Sequence, residues 1–340
     1  MPQVIGDYID RLVNTEMRVG SGSLPRGVTY PLYEAARKKQ GEPLTYLAAK
    51  KLIDTVKKGD TVIVATGAGT APGLPKGETD GPLGAAAIAR AIDIGLGGKP
   101  VFIGEERNMP STRACALAAG LMIDEELFPQ RPNTALALDY PLGPEEGARY
   151  AEKLLETYTP KAVITVEKAG ASRSGRTHSI TGFGRLPDLM ANVWLLTDMA
   201  LAKGIPVISV GDGGNEIGYG IIEDDVRRIQ PWGDKCDCPC GTGIATVSKC
   251  DVLISAAVSN WGAYGIAAML AFMLKNPNVL HDTLTEKRML IASIEAGAMD
   301  GSYTALVPYV DGISLDVQMA LITMLHEIVG NGLKSHTRIF

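Results

Sequence analysis

The feature that most constrains this chain is a recurring alternation. Short β-branched runs are followed by loops and then by stretches with helical spacing. Residues 61–66 read Thr-Val-Ile-Val-Ala-Thr, and further apolar runs occur at 100–103, 161–166, 205–210 and 251–255. Runs this short and this apolar suit strands buried on both faces. Helical patterns fall between them at 82–95, 144–157, 188–203 and 261–274. Others precede them at 4–17, 30–39 and 43–58, and two more follow at 283–297 and 313–330. The stretch 20–31, with Ser-Gly-Ser-Leu-Pro-Arg-Gly at its centre, reads as a loop. Such alternation predicts the α/β class: a mostly parallel, Rossmann-like sheet with helices on both faces and extra N- and C-terminal helices. One large domain over 1–340 is expected. If it divides into two lobes, the Pro/Gly-containing stretch at 128–144 is the expected connection.

Composition narrows the function classes. With 46% hydrophobic and 21% charged residues, the chain has ample apolar surface to bury and is not a disordered polymer. A net charge of −5 without a basic run argues against nucleic acid as a partner, and there is no basic amphipathic face for a membrane surface. Asp7 and Asp10 interrupt any signal-like apolar run, and no stretch reaches the roughly 18 apolar residues of a membrane span. Five cysteines are an odd count that argues against a disulfide framework, so a cytoplasmic location is expected. Homo-oligomerisation is left open.

In open parallel sheets ligands sit beyond the carboxyl ends of the strands, so the loops after the strands matter most. The loop after the run at 61–66 carries Gly67, Gly69, Gly73, Gly77, Gly81 and Gly84, with Lys76, Glu78, Thr79 and Asp80 among them. It is neither a P-loop, because Gly77 follows Lys76, nor a dinucleotide fingerprint, because Pro72 stands where the last glycine belongs. No nucleotide motif is found. Backbone N–H groups at the start of the next helix favour an anion, while Glu78 and Asp80 suit a metal, an amine or a proton. The loop after 205–210 runs Gly211-Asp-Gly-Gly-Asn-Glu-Ile-Gly-Tyr-Gly220. Its Asp212, Gly213, Gly214, Asn215 and Glu216 suit a divalent cation such as Mg²⁺ or Mn²⁺, and equally a substrate ammonium.

A third loop holds Glu167, Lys168, Arg173, Arg176 and His178: guanidinium groups for carboxylates, and an imidazole for moving protons or for the surface. A fourth holds Ser259, Asn260, Trp261 and Tyr264, readable as a ligand-facing helix start with a pocket wall, or as a plain cap with core aromatics. Cys236, Cys238 and Cys240 suggest zinc or an iron–sulfur centre, with Cys250 the fourth cysteine in reach.

The strings PKGETDGPLGAAAIARA (75–91), GDGGNEIGYG (211–220) and SNWGAYG (259–265) resemble the C-terminal region of the D-glutamate cyclase family. The resemblance implies conversion of D-glutamate to 5-oxo-D-proline and water, a lyase reaction on a small amino-dicarboxylate. On that reading Glu216, Asp212, Glu78 and Asp80 are the acid–base candidates. Asp212, Asn215, Glu216 and Asp80 are the candidate ligands of a divalent cation. Gly67, Gly69, Lys76, Gly77, Thr79, Gly81, Arg176, Gly213, Gly214, Asn215, Asn260 and Trp261 are the candidate substrate contacts. The rival readings are a non-catalytic module binding a small anion or a metal, and a nucleotide-dependent enzyme on a similar fold.

Overall fold

The computed structural model describes residues 1–18, 24–69 and 71–334. Two helices and a third precede the sheet: α1 (Pro2–Val13), α2 (Thr29–Gln40) and α3 (Leu44–Thr55). Then follow β1 (Thr61–Thr66), α4 (Pro82–Leu96), β2 (Lys99–Gly104), α5 (Met109–Ala118), β3 (Met122–Ile123), β4 (Thr134–Asp139), α6 (Pro144–Tyr158) and β5 (Ala162–Val166). A hairpin of β6 (Thr177–His178) and β7 (Gly184–Arg185) leads to α7 (Trp194–Ala202), β8 (Val207–Gly211), α8 (Glu223–Ile229), β9 (Val252–Ser255) and α9 (Ser259–Met273). The chain continues through α10 (Thr283–Glu295), the hairpin β10 (Tyr309–Val310) and β11 (Ile313–Ser314), and α11 (Leu315–Leu333).

Seven strands form one parallel sheet in the order β3-β4-β2-β1-β5-β8-β9. From Val62 to Thr66, β1 is buried at every residue. A strand buried on both sides needs cover on both faces, and helices supply it. Within the helical layers α4 and α5 pack together, and α9 packs on α1, α3, α4 and α11, while α6 packs on α7. Helix α9 is buried from Ser259 to Phe272, which explains why its sequence is apolar all round.

The chain reverses its direction across the sheet at β1, which has β2 on one side and β5 on the other. The crevice at such a switch point is where this architecture binds ligands. Register aligns the strand ends there. Thr66 pairs with Val166, Val166 with Val210, and Gly211 with Ser255. Consequently the loops that begin at Gly67, Glu167, Asp212 and Ala256 all leave from the same rim.

Most of the expected elements are present within a few residues. The exceptions have local causes. Strand β4 lies inside 128–144; its Thr-Ala-Leu-Ala-Leu-Asp is two-thirds alanine and leucine, with little β-branching. Helix α8 has no apolar stripe, but its acids fall in the first turn and its arginines in the last, as the helix dipole favours. The stretch 188–203 begins as a 3₁₀ turn at Pro187–Leu189, and only Trp194–Ala202 is α-helical. Of the expected loop at 20–31, residues 20–23 lie outside the described residues, and Thr29–Pro31 belong to α2.

Candidate active site

The turn after β1 is fixed by what surrounds it. Thr79 N–H donates to Met299 O at 2.9 Å, Met299 N–H to Gly77 O at 3.1 Å, and Thr79 Oγ1 to Tyr309 O at 2.8 Å. Residues from the C-terminal part of the chain thereby hold Glu78 and Asp80 at the rim. Asp80 accepts the N–H groups of Ser259 (3.0 Å) and Asn260 (2.8 Å) at the start of α9. Asn260 Oδ1 accepts those of Gly81 (2.9 Å) and Gly84 (2.7 Å) at the start of α4. Gly84 is required for this contact, because a Cβ there would stand 2.8 Å from Asn260 Cα.

The turn after β8 is organised by Glu216. Its Oε1 accepts the N–H groups of Asp212 and Gly213 at 2.8 Å each, and its Oε2 accepts that of Gly214 at 2.7 Å. Three donors occupy this buried carboxylate, which shapes the turn and leaves Asp212 facing the cleft. Asp212 pairs with Arg18, whose guanidinium also lies 2.9 Å from Asp311. Asp311 occupies the Asp-Gly turn between β10 and β11, at φ +52. Glu167, directly after β5, also has a left-handed backbone (φ +48), and Ser259 Oγ donates to its side chain. Strain of this kind in a non-glycine residue concentrates at functional positions.

Five carboxylates, Glu78, Asp80, Glu167, Asp212 and Asp311, therefore line one cleft of about 350 Å³ together with Arg18 and Arg185. This is the small-ligand end of the usual pocket range. Acids outnumber guanidinium groups, so protons or cations must make up the difference. Burial, with Asp311 and Asp212 nearby, pushes Glu78 up to about 8, although Arg185 opposes the rise. Burial raises Asp311 to about 7 and Asp212 to about 6, both restrained by Arg18. Asp80 is held well above the usual carboxylate range by burial and by Asp311 and Asp212. Glu167 is likewise raised by burial and by Asp212 and Glu216. One oxygen from each of Asp80, Glu167 and Asp212 lies within 4.8 Å of the others, close enough for one divalent cation to be shared.

Of the residues singled out in the sequence, Gly69, Gly73, Glu78, Asp80, Glu167, Asp212 and Asn215 line this cleft. Gly67, Gly77, Thr79, Gly81, Gly213, Gly214 and Glu216 shape the turns that carry them. Lys76 is exposed and lies against Gly297, away from the lining. Arg176 is also outside it, and the guanidinium groups at the cleft belong to Arg18 and Arg185. Asn260 is fully buried, and Trp261 is a core residue donating its indole N–H to Gln318 at 2.6 Å. Arg18 carries no motif that could have announced it. Asp311 does: Val-Asp-Gly-Ile reads as a two-residue hairpin turn.

Fold and cleft together define a doubly wound α/β protein with an acidic cleft at its switch point. The chain belongs to the family described as D-glutamate cyclase-like, C-terminal, whose sequence model matches residues 26–326. It is 30% identical over 203 residues to the human protein D-glutamate cyclase, mitochondrial; the match covers 58% of this chain and 30% of that relative's length. The resemblance seen in the glycine- and acid-rich loops is thus a family membership.

Proposed function

We propose that this chain is a D-glutamate cyclase-like lyase that closes a small amino-dicarboxylate, D-glutamate in the first instance, into its lactam. The observation that carries the reading is the set of five carboxylates facing one small cleft beside two guanidinium groups. Family membership supports the substrate class.

The reaction needs a neutral amine and a carboxyl carbon that will accept it. Acids of the cleft receive the substrate ammonium, and Arg185 lies where it can meet a substrate carboxylate. Asp212, at about 6, is mostly ionised at neutral pH and takes a proton from the ammonium. The freed nitrogen attacks the side-chain carboxyl carbon, forming the C–N bond. Glu78, at about 8, is mostly protonated and delivers a proton to the departing oxygen as the C–O bond breaks. Nitrogen loses two protons in all and the oxygen gains two, so the acids only relay them and water leaves. Two carboxyl groups pushed apart in proton affinity by their surroundings are the usual way one site supplies both base and acid. Ring closure is intramolecular, so holding the folded rotamer supplies much of the acceleration. A Mg²⁺ or Mn²⁺ ion bound by Asp80, Glu167 and Asp212 would add charge neutralisation at the carboxylate.

The test is incubation of pure protein with D-glutamate, with and without Mg²⁺ or Mn²⁺, following 5-oxoproline by chromatography. Asp212→Asn and Glu78→Gln should each lower the rate by roughly 10²–10⁴-fold, the usual worth of a general base or acid. Undiminished turnover in both variants overturns the assignment. Binding without turnover under either metal ion points to a non-catalytic module.

A further inference from the structure

Apart from the acidic cleft, four soft donors meet at a single point. The Sγ atoms of Cys236, Cys238 and Cys240 are 3.3 Å (236–238), 3.4 Å (236–240) and 3.0 Å (238–240) apart. His178 Nε2 lies 3.5 Å from Cys238 Sγ and 3.3 Å from Cys240 Sγ. We propose that these four residues bind one zinc ion, which staples the β6–β7 hairpin to the loop between α8 and β9. The proposal is independent of the reaction assigned to the cleft.

The geometry is that of a mononuclear site. Zn–S bonds of about 2.3 Å and Zn–N bonds of about 2.0–2.1 Å give tetrahedral edges of about 3.8 Å between sulfurs and about 3.6 Å between sulfur and nitrogen. The observed separations are shorter than these edges by about 0.1–0.3 Å for sulfur–nitrogen and about 0.4–0.8 Å for sulfur–sulfur, close enough for one ion to be shared by all four. All four donors lie within 4.8 Å of one another, which is too tight a shell for a cluster of several irons. Nor is a disulfide formed, because the shortest S···S distance exceeds the bond length of about 2.05 Å by far. Three thiolates and an imidazole complete four-fold coordination, and a closed shell is the mark of a structural site rather than a catalytic one.

Three further observations point to the same ligand. The His178 side chain is buried, and among the described residues its ring meets no polar partner except those two sulfurs. Gly184, opposite His178 in the hairpin, keeps the centre open: a Cβ there would stand 2.7 Å from Cys238 Sγ and 3.1 Å from His178 Nε2. Finally, residues 230–251 contain no helix and no extended strand. Irregular stretches this long in compact domains are uncommon without something to tie them down, and a metal staple supplies that tie. Cys250 is not part of the site. It is buried beside Gly218, with its thiol donating to that carbonyl at 3.7 Å.

The staple bears on the cleft. Ile180, Phe183 and Arg185 on the hairpin line the acidic pocket, and Asn215 Nδ2 donates to His178 O at 2.8 Å. Losing the metal would free the hairpin and with it the position of Arg185.

Elemental analysis of the full chain, purified without chelators or added metal, tests the proposal. One zinc per chain is expected. After exchange with Co²⁺, intense visible bands and thiolate charge-transfer bands should show tetrahedral sulfur-rich coordination. His178→Ala should lose most of the metal to a competing chelator, whereas His178→Cys, which restores a fourth ligand, should retain it. Cys250→Ala should leave the stoichiometry unchanged. Metal-free protein whose three thiols react freely and which takes up neither zinc nor cobalt overturns the site. So does stoichiometric iron with cluster absorption, or full zinc retention in a folded Cys238→Ser, Cys240→Ser double variant.

Discussion

Asp80 and Asn260 cap each other's helices. The Asp80 carboxylate takes the first N–H groups of α9, and the Asn260 amide oxygen takes N–H groups at the start of α4. Asn260 also donates through Nδ2 to Thr79 O at 3.0 Å. Free N–H groups at a helix start must find acceptors, and here each helix lends its neighbour one. The exchange fixes Asp80 in the cleft by the same bonds that join the two helices.

Asn260→Ala should therefore cost more than an ordinary cap. It leaves the Gly84 N–H and the Thr79 carbonyl without their side-chain partner, while the Gly81 N–H keeps its bond to Asp80 Oδ1, a loss of about 2–3 kcal/mol. Urea unfolding should show a lower midpoint with an unchanged slope. An unshifted midpoint would mean the exchange adds nothing.

Glu216→Gln separates a turn-shaping role from a chemical one. An amide presents one oxygen and one NH₂ to the three backbone donors, so at least one N–H loses its acceptor and faces a donor instead. A destabilisation of about 1–3 kcal/mol is expected, with activity recovering in part where the turn is stabilised by substrate. Loss of turnover at unchanged stability would place Glu216 in the chemistry instead.

Stability should fall as pH rises. Glu78 titrates near 8 when folded against 4.5 as a free side chain, and Asp311 near 7 against 3.8. Between those limits the folded state holds more protons than the unfolded one, so the stabilisation is complete below about 4 and drains away through about 8. Without added Mg²⁺ or Mn²⁺, Tm should drop between pH 5.5 and pH 8.5, and Glu78→Gln should flatten that slope. A Tm that rises across this range would contradict the proton accounting.

The rate should follow a bell. Asp212 must be ionised and Glu78 protonated, so kcat/KM for D-glutamate should rise through about 6 and fall through about 8. The two limbs belong to a coupled group of acids rather than to single residues. A flat profile over this range would remove acid–base catalysis by this pair.

Arg18→Ala strands Asp212 and Asp311 as neighbouring buried carboxylates and should cost about 3–5 kcal/mol, with Arg18→Lys only a partial rescue because it cannot serve both acids in one plane. Thermal melts at pH 8 should show the gap, and lowering the pH should narrow it. Equal melting at both pH values would mean the ion pairs contribute little.

The sheet was legible because β-branched runs such as Val62–Val64 have few other uses, and the acidic turns because glycine beside Glu78, Asp80 and Asp212 is hard to explain otherwise. Strand β4 was obscured by alanine, and α8 by its charges. The site's cations were obscured for a different reason. Lys76 and Arg176 are nearest to the loops in sequence, but Arg18 and Arg185 are nearest in space. Proximity along the chain says little about a cleft assembled from six separate segments. His178 illustrates the point again: only the folded hairpin brings it to the thiols of Cys238 and Cys240.

The Arg18 bridge between Asp212 and Asp311 joins segments far apart in the sequence. During synthesis the guanidinium emerges first and waits while nearly three hundred residues are added before its second partner appears. A ribosome-bound chain stopped short of β10 would present a half-built, electrically unbalanced hollow. The match to the family begins at residue 26, past Arg18. A fragment trimmed to that boundary would keep the acids of the hollow and discard the charge that reconciles them.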